Sequence, residues 1–300
     1  MRVTVTGATG RIGRRLVAAL EQRGDEVTAL SRDPDRASEL LGVEAFAWDL
    51  KQDAAPKQAL TGRDAIVHLA GEDVGQRWTA EVKAEILDSR ERGTRNIVDA
   101  IFDAEPRPRA LVCASASGFY GARKDEIVDE SAAPGHDWLA QVVTRWEREA
   151  QTAQTATRTV MVRTGIVLDA GGGALAKMLP PFKAGIGGPI GGGKQYMPWI
   201  HLDDLVGIYI AAIDNPTFQG PINASAPEPV TNKQFAKALG RALHRPALVP
   251  VPGFTVKLLY GEMSQIVLNG VRMVPGRVAE LGYEFKHPDL DEALRHTLAR

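Results

Sequence analysis

Three glycines near the start of the chain limit what its first residues can fold into. In "VTVTGATGRIGRRLVAAL" (Val3–Leu20) a β-branched run meets Gly7, Gly10 and Gly13, and a helical pattern begins at Arg11. In a dinucleotide-binding strand–turn–helix, the first glycine forms the tight turn, the second lets the backbone approach a pyrophosphate, and the third lets helix and sheet pack closely. The N–H groups at the helix N-terminus then face the phosphates. The motif predicts dinucleotide binding, and a purely structural turn is the alternative.

The rest of the first half alternates between strands and helices. Short apolar runs separated by longer segments of helical period are typical of a parallel sheet that is covered on both faces. Parallel strands also require right-handed crossover connections. We therefore predict an α/β fold, a Rossmann-like doubly wound parallel sheet with a smaller mixed C-terminal lobe. The predicted strands are Val3–Thr6, Val27–Leu30, Ala45–Trp48, Ala65–Leu69, Ala110–Ser115 and Thr159–Val162, and the main helices are Arg11–Gln22, Thr79–Phe102 and Trp138–Thr152.

The composition of the chain changes after Leu168. Residues 171–193 contain nine glycines in 23 residues, which we interpret as a loop around a short helix. We predict a cofactor-binding Rossmann domain at 1–168, which can regain strands or helices from 195–225. Residues 169–300 would then form a glycine-rich lid, a substrate lobe and a helical C-terminal domain at about 250–298. The elements predicted after Leu168 are helices at Ala174–Lys183, Asp203–Asp214 and Thr231–Leu243, and a strand near Ile222–Ala224.

Charge and cysteine content exclude several classes of function. The 36 Lys and Arg residues nearly balance the 37 Asp and Glu residues, so neither nucleic acid nor an anionic membrane is an expected partner. The single cysteine, Cys113, allows no internal disulfide and no thiolate metal cluster, and we predict no metal site. No apolar run reaches the roughly 18 residues of a membrane span, and no signal peptide is recognisable. We expect a cytoplasmic protein.

The end of the second strand bears on the choice of cofactor. An acidic residue at this position favours the ribose 2′-hydroxyl of NAD, whereas an arginine accommodates the 2′-phosphate of NADP. Ser31 and Arg32 come first here, and Asp33 follows them. Serine supplies a hydroxyl donor and arginine a permanently charged planar fork, so the sequence favours NADP(H). In the alternative, Arg32 is a solvated surface residue and Asp33 binds the ribose of NAD(H).

Several longer segments together resemble one known family. They are "TGATGRIG", "HLAGE", "RWTAEVKAEILDSRERGT", "SASGFYG", "RTGIVL", "GIGGPIGGGKQYMPWIHLDD" and "LLYGEMSQIVLNGVRMVPGRVAELGYEF". The chain resembles, over essentially its whole length, the atypical extended short-chain dehydrogenase/reductases of the NAD-dependent epimerase family. These are nucleoside-diphosphate-sugar-epimerase-like proteins with a small C-terminal domain of their own.

The resemblance implies cofactor-binding roles for residues that match the family's motifs. For Glu85 and Arg90 on the fourth helix, the alternative is that both lie on a solvated helix face. Gly71 joins the cofactor set because a small residue is needed where the backbone passes the cofactor, and Ser115 joins it from the end of the fifth strand. The matching residues are Thr6, Gly7, Gly10, Arg11, Ile12 and Gly13 in the pyrophosphate loop, Ser31 and Arg32 at the 2′-phosphate, Leu69 and Ala70 on strand four, Glu85 and Arg90 on the fourth helix, and Leu168 beside the nicotinamide.

The chain departs from the family at the positions of its usual catalytic residues. Extended reductases and epimerases use a Ser or Thr and a Tyr-x-x-x-Lys pair, in which the tyrosine is the acid or base. The corresponding positions here are Ala116, Leu139 and Val143. The remaining candidates for proton transfer are Tyr120 in "GFYG" and His201 in "PWIH", since both can be expected near the nicotinamide. A water held by Ser115 or Ser117, which flank Ala116, is the alternative.

Two functions remain open from the sequence. The first is an NADP(H)-dependent oxidoreductase or epimerase that acts on a small carbonyl or sugar-like substrate, as a monomer or homodimer. The second is a catalytically weak NADPH-binding sensor or regulatory protein, which the missing Tyr-x-x-x-Lys pair favours. The glycine-rich segment favours the enzyme, because it has the composition of a lid over a substrate pocket.

Overall fold

A seven-stranded parallel sheet lies at the centre of the protein, whose computed structural model describes residues 1–299. The strands of this range are β1 (Arg2–Thr6), β2 (Glu26–Ser31), β3 (Glu44–Ala47), β4 (Ala65–His68), β5 (Ala110–Ala116), β6 (Ile127–Val128), β7 (Arg158–Thr164), β8 (Ile166–Leu168), β9 (Tyr196–Met197), β10 (Trp199–His201), β11 (Gly220–Ala224), β12 (Val230–Thr231) and β13 (Arg272–Met273). The helices are α1 (Arg11–Gln22), α2 (Pro34–Leu41), α3 (Lys57–Leu60), α4 (Ala80–Asp103), α5 (Trp138–Thr152), α6 (Gly173–Lys183), α7 (Leu202–Asp214), α8 (Asn232–Ala242), α9 (Gly253–Tyr260), α10 (Ser264–Leu268), α11 (Gly276–Glu280) and α12 (Leu290–Leu298).

The central sheet has the strand order β11-β7-β5-β4-β1-β2-β3, and all its neighbouring strands are parallel. From β1 the chain proceeds outward to β2 and β3, and then crosses back to β4 on the other side. The strand order therefore reverses between β1 and β4. Open α/β sheets bind their ligands at such a switch point, outside the carboxyl ends of the strands. The predicted doubly wound fold is confirmed, and the strand expected near Ile222–Ala224 is the edge strand β11.

Helices cover both faces of the sheet, because successive side chains of each strand point to opposite sides. On one face, α1 and α7 pack against Val3 and Val5 of β1 through residues such as Leu16 and Leu205. On the other face, α4 and α5 pack against β4 and β5, with Trp146 among the buried residues. Burial of each large apolar side chain stabilises the fold by roughly 1.5–3 kcal/mol.

The C-terminal segment docks onto this sheet through short strands and helices. Strand β13 pairs in parallel with β6, and α12 packs against α8. Helix α7 and strand β11 return to the central sheet, although they follow the glycine-rich segment in sequence. The proposed domain boundaries at 168 and 250 stay predictions. Among residues 1–299, no helix combines the length and the apolar character that crossing a membrane requires.

Candidate functional site

The glycine loop lies at the switch point, between the ends of β1 and β4. Gly7 has a φ of +65°, and a Cβ atom on it would lie 2.9 Å from the amide nitrogen of Ala70. A Cβ atom on Gly13 would lie 2.3 Å from the carbonyl oxygen of Gly7, and the Gly10 amide donates to that same oxygen at 3.0 Å. Gly7 is needed for its backbone conformation and Gly13 for close packing. The structure thus brings these predicted residues together with Leu69 and Ala70.

Thr6 fastens the end of β1 to the end of β4. Its hydroxyl oxygen accepts hydrogen bonds from the amides of Leu69 and Ala70, both at 3.1 Å, and lies 2.7 Å from Nδ1 of His68. Burial lowers the pKa of His68 to about 4, so the ring is neutral at neutral pH. His68 is therefore a buried structural residue. Thr6 fixes the backbone that a cofactor at this edge would contact.

The side chain of Arg11 extends from the first turn of α1 to the glycine-rich segment. Its Nη1 donates to Oδ2 of Asp169 at 2.8 Å. A Cβ atom on Gly172 would lie only 1.9 Å from the guanidinium carbon, so Arg11 occupies the space of a side chain at that position. Leu168, which precedes Asp169, is buried, and Ile12 is half-buried against the core. The glycine-rich segment is thereby attached to the predicted pyrophosphate loop.

The tips of β2 and β3 border a cavity of about 410 Å³. Arg32 and Trp48 line it, and Arg32 is exposed. The side chain of Asp33 accepts a hydrogen bond from the Arg36 amide at 3.1 Å and caps α2, while the Asp33 amide donates to Oγ of Ser31 at 3.2 Å. The capping bond occupies Oδ1 of Asp33. The exposed guanidinium beside the cavity fits a 2′-phosphate in charge and position.

The two predicted residues of α4 have different surroundings. Nη1 of Arg90 donates to the carbonyl oxygen of Glu72 at 3.0 Å, and its guanidinium carbon lies 3.5 Å from the position of a Cβ on Gly71. Burial lowers the pKa of Arg90 to about 10, which still leaves it charged at neutral pH. Arg90 thus lies at the end of β4 beside Gly71. Glu85 is exposed and pairs with Lys51, which follows β3.

A buried polar network connects the end of β5 with α5 and β7. The carboxylate of Glu147 accepts from Nε and Nη2 of Arg163, both at 2.8 Å, and from Oγ of Ser115 at 2.6 Å. Nη1 of Arg163 donates to the hydroxyl of Tyr120 at 2.9 Å, and that hydroxyl donates to Oδ1 of Asn223 at 2.6 Å. Burial raises the pKa of Tyr120 to about 12. Predicted residues Ser115 and Tyr120 therefore belong to one buried network.

The face of α5 that normally carries the Tyr-x-x-x-Lys pair is apolar here. A Cβ atom on Gly118 would lie 2.8 Å from Cδ2 of Leu139 and 3.8 Å from Cγ2 of Val143. Both side chains therefore pack on the loop that follows β5. Glu147 lies four residues after Val143 and therefore on the same face of α5. This spacing could have identified Glu147 from the sequence, although it was not among the predicted site residues.

His201 lies at the N-cap of α7, where its Nδ1 accepts a hydrogen bond from the Asp203 amide at 3.0 Å. The side chain is buried, and its Nε2 lies 3.1 Å from Nδ1 of His296. The ring centre of His287 is 3.9 Å from that of His201. His287 and His296 could not be predicted as neighbours of His201, because they lie more than 80 positions away and carry no local pattern. The catalytic roles of His201 and Tyr120 stay predictions.

Comparison with known proteins gives a match along most of the chain. The model of the NAD dependent epimerase/dehydratase family matches residues 3–224, and a second model, a domain of unknown function (DUF1731), matches residues 251–297. The chain is 42% identical over 298 residues to "Epimerase family protein SDR39U1 homolog, chloroplastic" from Arabidopsis thaliana, covering 98% of this chain and 86% of that protein. It is 40% identical over 306 residues to "Epimerase family protein SDR39U1" from Bos taurus, with both chains covered completely.

A solved structure agrees with these matches. The crystal structure of human epimerase family protein SDR39U1 (isoform 2) with NADPH superposes with a TM-score of 0.91 at 37% identity, covering 100% of both chains. The family assignment rests on the first model, which spans β1 to β11, and on relatives above 30% identity. The resemblance drawn from the sequence is therefore confirmed: the chain belongs to the NAD dependent epimerase/dehydratase family.

Proposed function

We propose that this protein binds NADP(H) across the switch point of its sheet and acts as an oxidoreductase or epimerase on a small carbonyl or sugar-like substrate. The observation that carries the proposal is the exposed Arg32 beside the cavity at the tips of β2 and β3, with the Asp33 carboxylate engaged as a helix cap. NAD(H) is the alternative cofactor. The NADPH named in the crystal structure of the human relative supports NADP(H).

Each part of the site has a separate task in this proposal. The glycine loop and the N-terminus of α1 would hold the pyrophosphate, and Ser31 and Arg32 would hold the 2′-phosphate. The backbone from Leu69 to Gly71 would support the cofactor, with Arg90 beside it, and Leu168 would lie at the nicotinamide end. When bound, the cofactor supplies hydride chemistry, and the protein supplies orientation and a dry pocket.

Proton transfer is a separate part of the proposal, because Leu139 and Val143 can carry no proton. We assign it to Tyr120 or His201, the ionisable residues that the sequence suggests. Since the pKa of Tyr120 is about 12, its hydroxyl is protonated at neutral pH and can act only as a general acid there. To do so, the fully buried side chain would have to become accessible to the substrate and exchange its hydrogen bond with Asn223 for one with the substrate oxygen.

The second candidate function is an NADPH-binding sensor with little or no chemistry. The apolar face formed by Leu139 and Val143 against Gly118 favours it, because a site that retains the cofactor residues but lacks the usual acid or base can bind without turnover. In that case the attachment of Arg11 to the glycine-rich segment through Asp169 would couple cofactor binding to the surface of the protein.

A turnover experiment distinguishes the two functions. The purified protein is mixed with NADPH and a panel of aldehydes, ketones and nucleoside-diphosphate sugars, while loss of the reduced nicotinamide is followed by absorbance and products by chromatography. We expect at least one compound to give saturable, protein-dependent turnover. Tight NADPH binding without turnover of any compound would contradict the enzyme and favour the sensor. A cytoplasmic location and a monomeric or homodimeric state are further proposals.

A further inference from the structure

Three imidazoles and a carboxylate converge where the C-terminal segment meets the start of α7. One potential ligand atom from each of His201, Asp203, His287 and His296 lies within 4.8 Å of the others. His201 is buried and the other three are half-buried. The ring centre of His287 lies 3.9 Å from that of His201 and 4.5 Å from that of His296. We call these four residues the histidine cluster.

We infer that the histidine cluster binds one divalent transition-metal ion, with Zn²⁺ the best match and His201, His287 and His296 as its ligands. Two nitrogens bound to a tetrahedral zinc ion at 2.0–2.1 Å lie about 3.3 Å apart. Nε2 of His201 and Nδ1 of His296 are separated by 3.1 Å, so they can share an ion with little movement. Neutral imidazole is a ligand that suits zinc, copper and nickel.

The carboxylate of Asp203 would orient a histidine ligand by a hydrogen bond and would not bind the ion itself. In the structure, Nδ1 of His201 accepts from the Asp203 amide, so the ring proton resides on Nε2. A metal on Nε2 would require the ring proton on Nδ1, so the ring would give up its hydrogen bond from the Asp203 amide and turn toward Oδ2 of Asp203, which lies 3.9 Å away. Carboxylates commonly orient metal-binding histidines in this way.

The surroundings hold the cluster in place from independent elements. The buried carboxylate of Asp204 accepts from the amides of Lys286 at 2.7 Å and His287 at 3.0 Å, which fixes the backbone beside one ligand. Nε of Arg15 in α1 donates to Oδ1 of Asp203 at 2.9 Å. His296 is fixed within α12. A bound ion would therefore link the C-terminal segment to the N-terminus of α7. The inference does not depend on the proposed cofactor, but it excludes His201 from proton transfer, because a ring that holds zinc on Nε2 has no nitrogen left to exchange a proton with a substrate.

Calorimetric titration of ZnCl₂ into the full chain, first stripped of metal with a chelator, tests the inference. We expect saturable binding of one ion per chain. His287→Gln and His296→Gln should each weaken binding by at least tenfold, since each removes one of three ligands, and Asp203→Asn should weaken it by about 10–100-fold. His136→Gln is the matched control, because His136 is exposed and lies outside the cluster, and it should bind as the wild type does. An unaltered circular dichroism spectrum shows that each variant is folded.

Two results would overturn the inference. One is the absence of saturable zinc binding to the wild type, and the other is binding that His287→Gln and His296→Gln leave unchanged. If those variants do not fold, the visible absorption spectrum of the wild type with bound Co²⁺ is the test. A tetrahedral site with nitrogen ligands gives intense visible absorption bands, whereas weak octahedral bands or no uptake would exclude the site that we infer.

Discussion

Replacing Glu147 with glutamine is expected to lower the free energy of unfolding by about 3–5 kcal/mol, the effect of leaving a buried charge without its partner. The carboxylate makes two hydrogen bonds of 2.8 Å to Arg163, and both side chains are less than 5% exposed. The guanidinium also lies 3.5 Å from the centre of the Phe119 ring. Glutamine keeps the shape of the side chain but leaves the charge of Arg163 uncompensated in the core.

Urea unfolding at neutral pH measures this effect, and the midpoint of thermal unfolding should fall by roughly 10 °C. Glu149→Gln is the matched control on the same helix, because Glu149 (17% exposed) pairs with Arg95 (51% exposed), so solvent reaches this pair but not the buried one. Exposed pairs contribute about 0–1 kcal/mol, so this variant should remain close to the wild type. Equal losses of stability in the two variants would show that the buried pair has no special importance.

Replacing Tyr120 with phenylalanine is expected to reduce turnover by about 100- to 10,000-fold, the usual contribution of a general acid or base. The measurement uses NADPH at saturation and a substrate identified in the panel experiment. The variant also loses the hydrogen bonds with Arg163 and Asn223, so its thermal stability is measured in parallel. A catalytic role requires that the rate falls at a temperature where the variant is fully folded and binds NADPH normally.

Tyr260→Phe is the control for this experiment, because Tyr260 is exposed in the C-terminal segment. It should leave both turnover and stability unchanged. If Tyr120→Phe retains the wild-type rate but unfolds at a lower temperature, Tyr120 supports only the buried network. Proton transfer would then be left to His201, for which His201→Gln is the corresponding test.

Local periodicity was sufficient to predict most of the sheet and its helices. The bounds predicted for Arg11–Gln22 and Trp138–Thr152 are those of α1 and α5, since both have a clear apolar face and defined ends. The glycine loop was equally predictable. Close packing at Gly13 and a positive φ at Gly7 exclude other residue types, so the spacing of the glycines is sufficient to predict the turn.

Contacts between distant segments could not be predicted in this way. Tyr120 and Asn223 are 103 positions apart, and His201 and His296 are 95 positions apart. No pattern within either segment indicates its partner, because pairing depends on how the C-terminal segment docks. The Glu147–Arg163 pair is an intermediate case: the helix spacing from Val143 indicates the face of Glu147, but only the pairing of β5 with β7 brings Arg163 to it.

The central claim is that NADP(H) binds at the switch point with its 2′-phosphate on Arg32. Calorimetric titration of NADPH and NADH into the wild type and Arg32→Ala tests it most directly. A charged hydrogen bond contributes roughly 1.5–3 kcal/mol, or about tenfold or more in affinity. We predict that the wild type binds NADPH more tightly than NADH. Arg32→Ala should bind NADPH about tenfold or more weakly than the wild type does, while its affinity for NADH is nearly unchanged. Equal losses for both cofactors, or no binding of NADPH to the wild type, would contradict the claim.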